Sequence, residues 1–262
     1  MYNDSRYLAE RLADLATSWK TRDDLSTRAK NMLRLDNEIK ALQKFANRAY
    51  GGEMNTQKTV LRDLLGGETF PPLWTSAQLI KWDVGAQNLL QQDDAEGFID
   101  AAVSRVRAMA VAWETILTRS MWYQAVGSLV DTIATKVISD VMDMPAIGQD
   151  EAYNIANLMA KIITLDDLFL PTRAASQGKA EAGRGEMAAT AQYAPSWLRL
   201  QYLSEVLQSN LREVRYLWME SELSLYFTVD EVVDLINLSF EANARSREVI
   251  KDISQHPHPI RL

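Results

Sequence analysis

Residues 98–141 read FIDAAVSRVRAMAVAWETILTRSMWYQAVGSLVDTIATKVISDV and form the longest periodic stretch of the chain. Phe98, Ala102, Val106, Met109, Trp113, Ile116 and Leu117 recur every three or four residues, the spacing that lines one face of an α-helix. After Ser120 the stripe moves to Tyr123, Val126, Leu129, Val130, Ile133, Val137 and Val141, so Ser120 marks a break between two helices. Pro145 closes the second, because proline supplies no amide hydrogen and clashes with a preceding helical turn. Two long consecutive helices with one broad apolar face each set the expectation of an all-α protein.

The flanks agree. Leu8, Leu12, Leu15 and Trp19 mark a first amphipathic helix. Asp23 and Asp24 offer caps for a second, with Leu25, Ala29, Met32, Leu35, Ile39, Leu42 and Phe45 inward and a stop expected at Gly51-Gly52. The two read as an antiparallel pair. A short third helix carries Val60, Leu61, Leu64 and Leu65 and stops at Gly66-Gly67. Thr75-Ser76-Ala77-Gln78 has the form of a capping box and predicts another start, and Asp93 and Glu96 precede the long stretch. Asp150 caps a helix with Tyr153, Ala156, Met159, Ile162 and Ile163 inward. Residues 171–195 hold eight Ala and three Gly, with Met187 and Tyr193 the only large apolar side chains, and read as a flexible loop. Trp197, Leu200, Leu203, Leu207, Leu211, Val214 and Leu217 resume the helical period. Leu223, Leu225 and Phe227 alternate like a strand, without a pairing partner. Thr228 and Glu231 form a second capping box and start a last helix through Val233, Ile236, Phe240 and Ala244 to about Ile253, before a frayed tail at His256-Pro257-His258-Pro259. The expectation is an all-α, elongated antiparallel helical bundle or rod of about eight to ten helices. It divides into an N-terminal helical subdomain, 1–92, and a C-terminal helical subdomain, 93–262, with the flexible loop at 171–195.

Composition narrows the function. The chain has 262 residues, 47% hydrophobic and 24% charged, with a net charge of −7. That balance is globular and opposes a phosphate-neutralising surface, so no nucleic-acid partner is expected. Zero Cys excludes thiolate nucleophiles, disulfides and Cys-type zinc sites. No apolar run approaches a membrane span and Met1-Tyr2-Asn3-Asp4 does not open a signal peptide, so the expectation is a cytosolic chain without direct membrane insertion.

A search for chemistry finds no constructible centre, and no catalytic residue, metal or cofactor is expected. Both His, His256 and His258, lie in the Pro-rich tail, and neither H-E-x-x-H nor a nucleophilic triad can be assembled. Asp166-Asp167-Leu168-Phe169-Leu170 resembles the D-D-x-x-D cluster that holds magnesium on isoprenyl diphosphates, but Leu170 occupies the third carboxylate position. Two adjacent Asp near a helix end are more often solvated. Gly178-Lys179 and Gly183-Arg184-Gly185 match no phosphate loop. The acids Asp93, Asp94, Glu96 and Asp100 suit an expected helix start. The first 48 residues carry ten Lys or Arg against seven acids, a mild excess that reads as a solvated face or as a patch for anionic lipid. Among the aromatics, Trp113, Trp122 and Trp197 fall on apolar faces and are expected in the core.

The run Trp122-Tyr123-Gln124-Ala125-Val126-Gly127-Ser128-Leu129-Val130-Asp131-Thr132-Ile133, with Val137-Ile138-Ser139-Asp140 and Glu151, resembles the C-terminal region of the zeste-white-ten family of vesicle-tether and kinetochore proteins. Ala194-Pro195-Ser196-Trp197, Leu203-x-x-Val206-Leu207 and Leu211-x-Glu213-Val214 resemble that family's Pro-x-Trp helix. Phe227-x-x-Asp230-Glu231-Val232 through Phe240-x-x-Asn243 resembles its closing region, although Ser246, flanked by Arg245 and Arg247, stands where a basic residue is expected. The resemblance implies the helical-rod (CATCHR) fold of tethering proteins. It also implies a non-enzymatic scaffold of a multisubunit tether in Golgi-to-ER transport, cytoplasmic and peripheral at the ER, or a kinetochore subunit in mitotic checkpoint signalling. Its implied partners are an α-solenoid subunit, NAG-type at the ER or Rough Deal-type at the kinetochore, with other tether subunits and ER SNAREs reached through the full complex.

The last expected helix carries Asn237, Glu241, Arg245 and Glu248 at spacings of three and four, opposite its apolar stripe. With Arg247 these are the candidate partner-binding residues, against the plainer reading of a solvated face. Two rival functions stand beside the scaffold: a helical enzyme acting on a diphosphate through Asp166-Asp167, and a peripheral membrane binder using the basic N-terminal helices.

Overall fold

The computed structural model describes residues 2–22, 26–28, 35–66, 87–170 and 189–257, with side chains of 87–94 excepted. The segments 23–25, 29–34, 67–86, 171–188 and 258–262 lie outside them, and with them the expected caps Asp23 and Asp24, Ala29 and Met32, the expected capping box at Thr75, the Gly-Lys and Gly-Arg-Gly motifs, Trp74, Trp82 and His258. Among the described residues the chain is helical and no strand occurs. Helix α1 spans Tyr2–Lys20, α2 Asp36–Leu64, α3 Gln87–Glu114, α4 Arg119–Met142 and α5 Gln149–Ile163. A 3-10 turn, Thr164–Phe169, follows. Then come α6 Thr190–Tyr193, α7 Trp197–Gln208, α8 Leu211–Met219, α9 Leu223–Tyr226, α10 Val229–Ser239 and α11 Ala244–Gln255.

Helix α4 is the organising element. It buries Ala125, Val126, Leu129, Val130, Ile133, Ala134, Val137, Ile138 and Val141, more than one stripe, as a helix enclosed by neighbours requires. α2, α3 and α7 pack against it, α5 bridges α3 and α7, and α11 closes the far end on α8 and α10. Asp131 of α4 accepts the Ser196 amide hydrogen at 2.8 Å, fixing where α7 starts. Met54, Leu61 and Leu65 of the α2 end belong to the same hydrophobic core as the C-terminal helices, and position 92 falls within α3.

Several expected boundaries are corrected. Gly51-Gly52 does not end a helix: α2 runs through both glycines to Leu64, absorbing the expected third helix, because Met54, Gln57 and Leu61 beyond them are buried. The stop at Gly66 holds, with φ of 97°. Helix α3 begins at Gln87, so Glu96 and Asp100 lie past its first turn, and they clamp Lys161 of α5 at 2.5 and 2.9 Å. Leu223 and Leu225 lie in one helical turn rather than a strand, and Phe227 is extended just after it. The expected single last helix is two, separated at Phe240, whose φ of −128° and ψ of 148° are extended.

The buried faces shift in register. Ala102 and Val106 are buried as expected, but Phe98 and Ile116 are exposed while Ile99 and Ala110 are buried. On α1, Leu8 and Leu15 are exposed while Ser5, Ala9 and Ala16 are buried. Trp197 is buried as expected, Trp113 and Trp122 only partly, and Trp218, unassigned in sequence, is fully enclosed.

Residues 189–195, within the expected flexible loop, are packed. Thr190 and Ala194 are buried, and the Ala189 amide donates to the Phe169 carbonyl at 3.2 Å. Tyr193 stacks on Tyr123 with centroids 5.1 Å apart and lies beside Phe169 at 6.2 Å. Gly127 makes this possible: a Cβ there would stand 2.6 Å from the Tyr193 carbonyl oxygen.

Candidate functional site

The five candidate partner residues are all exposed, but they do not form one row on one helix. Asn237 lies in the last turns of α10, Glu241 in the extended link, and Arg245, Arg247 and Glu248 on α11. The link exists because Asn243 caps α11. Its side chain accepts from the Arg245 and Ser246 amides at 2.9 and 3.0 Å, and the Ser246 hydroxyl accepts from the Asn243 amide. These bonds satisfy amides that a helix start leaves unpaired.

α11 is held rigidly. Val249 and Ile253 are buried, Arg215 of α8 pairs with Asp252 at 2.8 Å, and the Trp218 indole N–H donates to the His256 carbonyl at 2.9 Å. That last bond anchors the start of the expected frayed tail. Two positions apart on a helix is about 200° of rotation, so Arg245 and Arg247 fall on opposite flanks of the outward face. Lys251, exposed and four residues after Arg247, joins that face. The i, i+4 spacing could have found it.

The Glu231 carboxyl braces the start of α10. Burial raises its pKa, but the Thr228 amide at 2.9 Å and the Arg199 guanidinium at 2.5 Å outweigh that and hold it below the usual value. Arg199 also lies over the Phe227 ring, 4.8 Å from its centre.

Asp166 and Asp167 sit in the 3-10 turn, and Asp167 pairs with Arg107 at 2.9 Å. The same arginine donates to the Thr164 carbonyl at 3.0 Å, so this carboxylate ties the turn to α3. A groove of about 570 Å³ opens beside it, floored by Ala110, Leu117, Trp122 and Leu168 and edged by Arg119 and Asp167. Among the described residues no three His, Cys, Asp or Glu converge on a metal position, and no helix is long and apolar enough to cross a membrane.

The profile of the family described as the ZW10 C-terminal helical domain matches residues 97–253. The chain belongs to the ZW10 family. Among the relatives, the centromere/kinetochore protein zw10 homologs of Rattus norvegicus and Mus musculus are each 20% identical over 177 residues, 64% of this chain. The aligned part spans 22% of the length of each of those ZW10 relatives. The ZW10 match takes in α4 to α10 whole and most of α3 and α11, while α1 and α2 lie before it.

Proposed function

We propose that this chain is a non-enzymatic helical scaffold module of a multisubunit vesicle-tethering complex, working in Golgi-to-ER transport at the cytoplasmic face of the ER. The observation that carries the reading is the family match across 97–253, laid over helices that leave charged faces open. Its direct partner is an α-solenoid subunit of the NAG type, with further tether subunits and ER SNAREs engaged through the assembly. The docking surface is the α10–α11 corner: Asn237 on α10, Glu241 in the link, and Arg245, Arg247 and Glu248 on α11, all exposed, with α11 tied to α8 by the Arg215–Asp252 pair.

A second reading, a subunit of a kinetochore complex in checkpoint signalling with a Rough Deal-type solenoid partner, is favoured by the names of the rat and mouse relatives. Both readings use the same chemistry, helix faces on a solenoid. Affinity purification of the full-length protein from its own cells separates them, because the co-purifying subunits name the assembly. For the surface itself, Arg245→Glu together with Arg247→Glu should leave helicity and melting nearly unchanged and weaken solenoid binding at least about tenfold, roughly 1.4 kcal/mol. Unaltered affinity with the fold verified by circular dichroism would remove this corner from the interface.

A further inference from the structure

The hairpin of α1 and α2 precedes the family match and packs differently from the rest of the molecule. Its fully buried contact residues are small, Ser5, Ala9 and Ala16 on α1 and Ala46 on α2, with Leu12, Ile39 and Leu42 half-buried beside them. Large apolar residues are left outside, with Leu8 51%, Leu15 40% and Phe45 49% exposed. Small residues let two helices approach closely, and the larger side chains beside them then project past the contact line.

These exposed residues share one side of the hairpin. Leu8 precedes Ala9, Leu15 precedes Ala16 and Phe45 precedes Ala46, so each is turned by about −100° from an inward residue of its own helix. In an antiparallel pair the two helix axes and the two inward directions are both reversed, so the same turn on each helix points to the same side. The Tyr2 and Tyr50 rings, 5.3 Å between centroids, fix the register and put Leu8 about level with Phe45. Leu8, Leu12, Leu15 and Trp19 keep spacings of four, three and four, the seam spacing of a coiled coil.

Beside Phe45 the outward flank of α2 is basic, whereas Glu38, two turns earlier on the same face as Phe45, is acidic and exposed. Between Ile39 and Gly52 the only charged residues are Lys40, Lys44 and Arg48, in a chain of net charge −7. All three are exposed, and none pairs with a carboxylate of another described residue. Arg48 and Lys44 stand about 60° and 100° from Phe45, both on its outward side, and Lys40 about 140° away on the back of α2. Across the seam, Arg11 is engaged with Asp14 at 3.9 Å. An apolar strip bordered by unpaired cations fits an amphipathic helix with apolar seam positions and carboxylates along one flank.

We propose that the open side of the α1–α2 hairpin, centred on Leu8, Leu15 and Phe45, takes up an acidic amphipathic helix of a partner protein, completing a three-helix seam. The proposal rests on the scaffold reading only in supposing a polypeptide partner. Its surface is separate from the α10–α11 corner, so either can fail alone.

The test uses the whole chain and two labelled 21-residue heptad peptides, both with Leu at the seam positions, one carrying Glu and the other Lys at the flanking positions. In fluorescence anisotropy at low salt the Glu peptide should bind at least tenfold more tightly than the Lys peptide and weaken as salt is raised. Phe45→Ser and the pair Lys44→Glu, Arg48→Glu should each reduce that binding at least tenfold, with circular dichroism and melting unchanged. Bound peptide should slow amide exchange in α1 and the first half of α2. Equal affinity for both peptides, no binding, or binding indifferent to both variants would overturn the proposal. Self-association in sedimentation that Phe45→Ser abolishes would overturn it in favour of a second copy. Uptake on phosphatidylserine vesicles without peptide binding would overturn it in favour of a lipid surface.

Discussion

The α4–α7 contact and the α1–α2 contact are both built from amphipathic helices, yet they spend their large side chains in opposite ways. In the first, Leu129, Ile133, Trp197, Leu200 and Leu203 are all but enclosed. In the second, alanine and serine meet and leucine and phenylalanine face solvent. A helical period of three and four therefore reports an apolar face without saying how much of it a neighbour covers. Where the covering is complete, stability follows burial. Where it is partial, the remainder is free for recognition.

The contrast is broken most sharply in the core. Trp197 is 1% exposed, and Trp197→Ala should cost about 3–5 kcal/mol in urea unfolding, the usual loss for a large aromatic cut from a packed interior. A loss below about 1 kcal/mol would mean that α7 does not pack as described. Gly127→Ala comes next. Its new Cβ would meet the backbone of Tyr193, so either α4 shifts or 190–193 is expelled, at about 1–3 kcal/mol. Expulsion carries its own signature, because the Tyr123–Tyr193 stack would open and the tyrosine near-ultraviolet dichroism would fall.

These two residues also show what was legible in the sequence. Trp197 could be placed in the core from its own helix, whose period is local information. The docking of Tyr193 could not, because its partner lies more than sixty residues earlier and is a glycine, which carries no apolar signal. The candidate partner residues were legible as exposed and polar. Their division between α10 and α11 was missed because Phe240 and Ala244 continue the apolar period across the break. The missed signal was Asn243, a cap three residues before Ser246. Gly51-Gly52 misled in the other direction. Helix-breaking propensity of about 1 kcal/mol per glycine is small beside the burial of Met54 and Leu61 further on.

A smaller effect sharpens the comparison through pH. The Glu231 carboxyl has a folded pKa below its unfolded value, with burial opposing and the Thr228 amide and Arg199 favouring the charged form. A lowered carboxylate pKa contributes stability above the unfolded value, near 4.5, and that contribution is lost as pH falls through the folded value. Glu231→Gln should therefore flatten the acid limb of the stability curve in this region, as followed by urea midpoints between neutral pH and about pH 3.

The smallest expected effect is the most informative about the hairpin. Leu8→Ser and Phe45→Ser remove apolar side chains of the same size class as those in the core, and a reading from hydrophobic period alone expects each to cost several kcal/mol. The structure leaves both about half exposed, so each should change stability by no more than about 0.5 kcal/mol, the range of surface substitutions. Ala9→Leu is the reciprocal change. It adds volume where α1 and α2 touch, and it should cost more than either deletion by overpacking, about 1–3 kcal/mol. If thermal unfolding instead showed Leu8→Ser to be the more damaging, the small residues would not be the contact surface and the exposed strip would already be covered. If the order is as stated, the leucine and phenylalanine of the hairpin do not hold this fold together, and their role is at a surface another helix can reach.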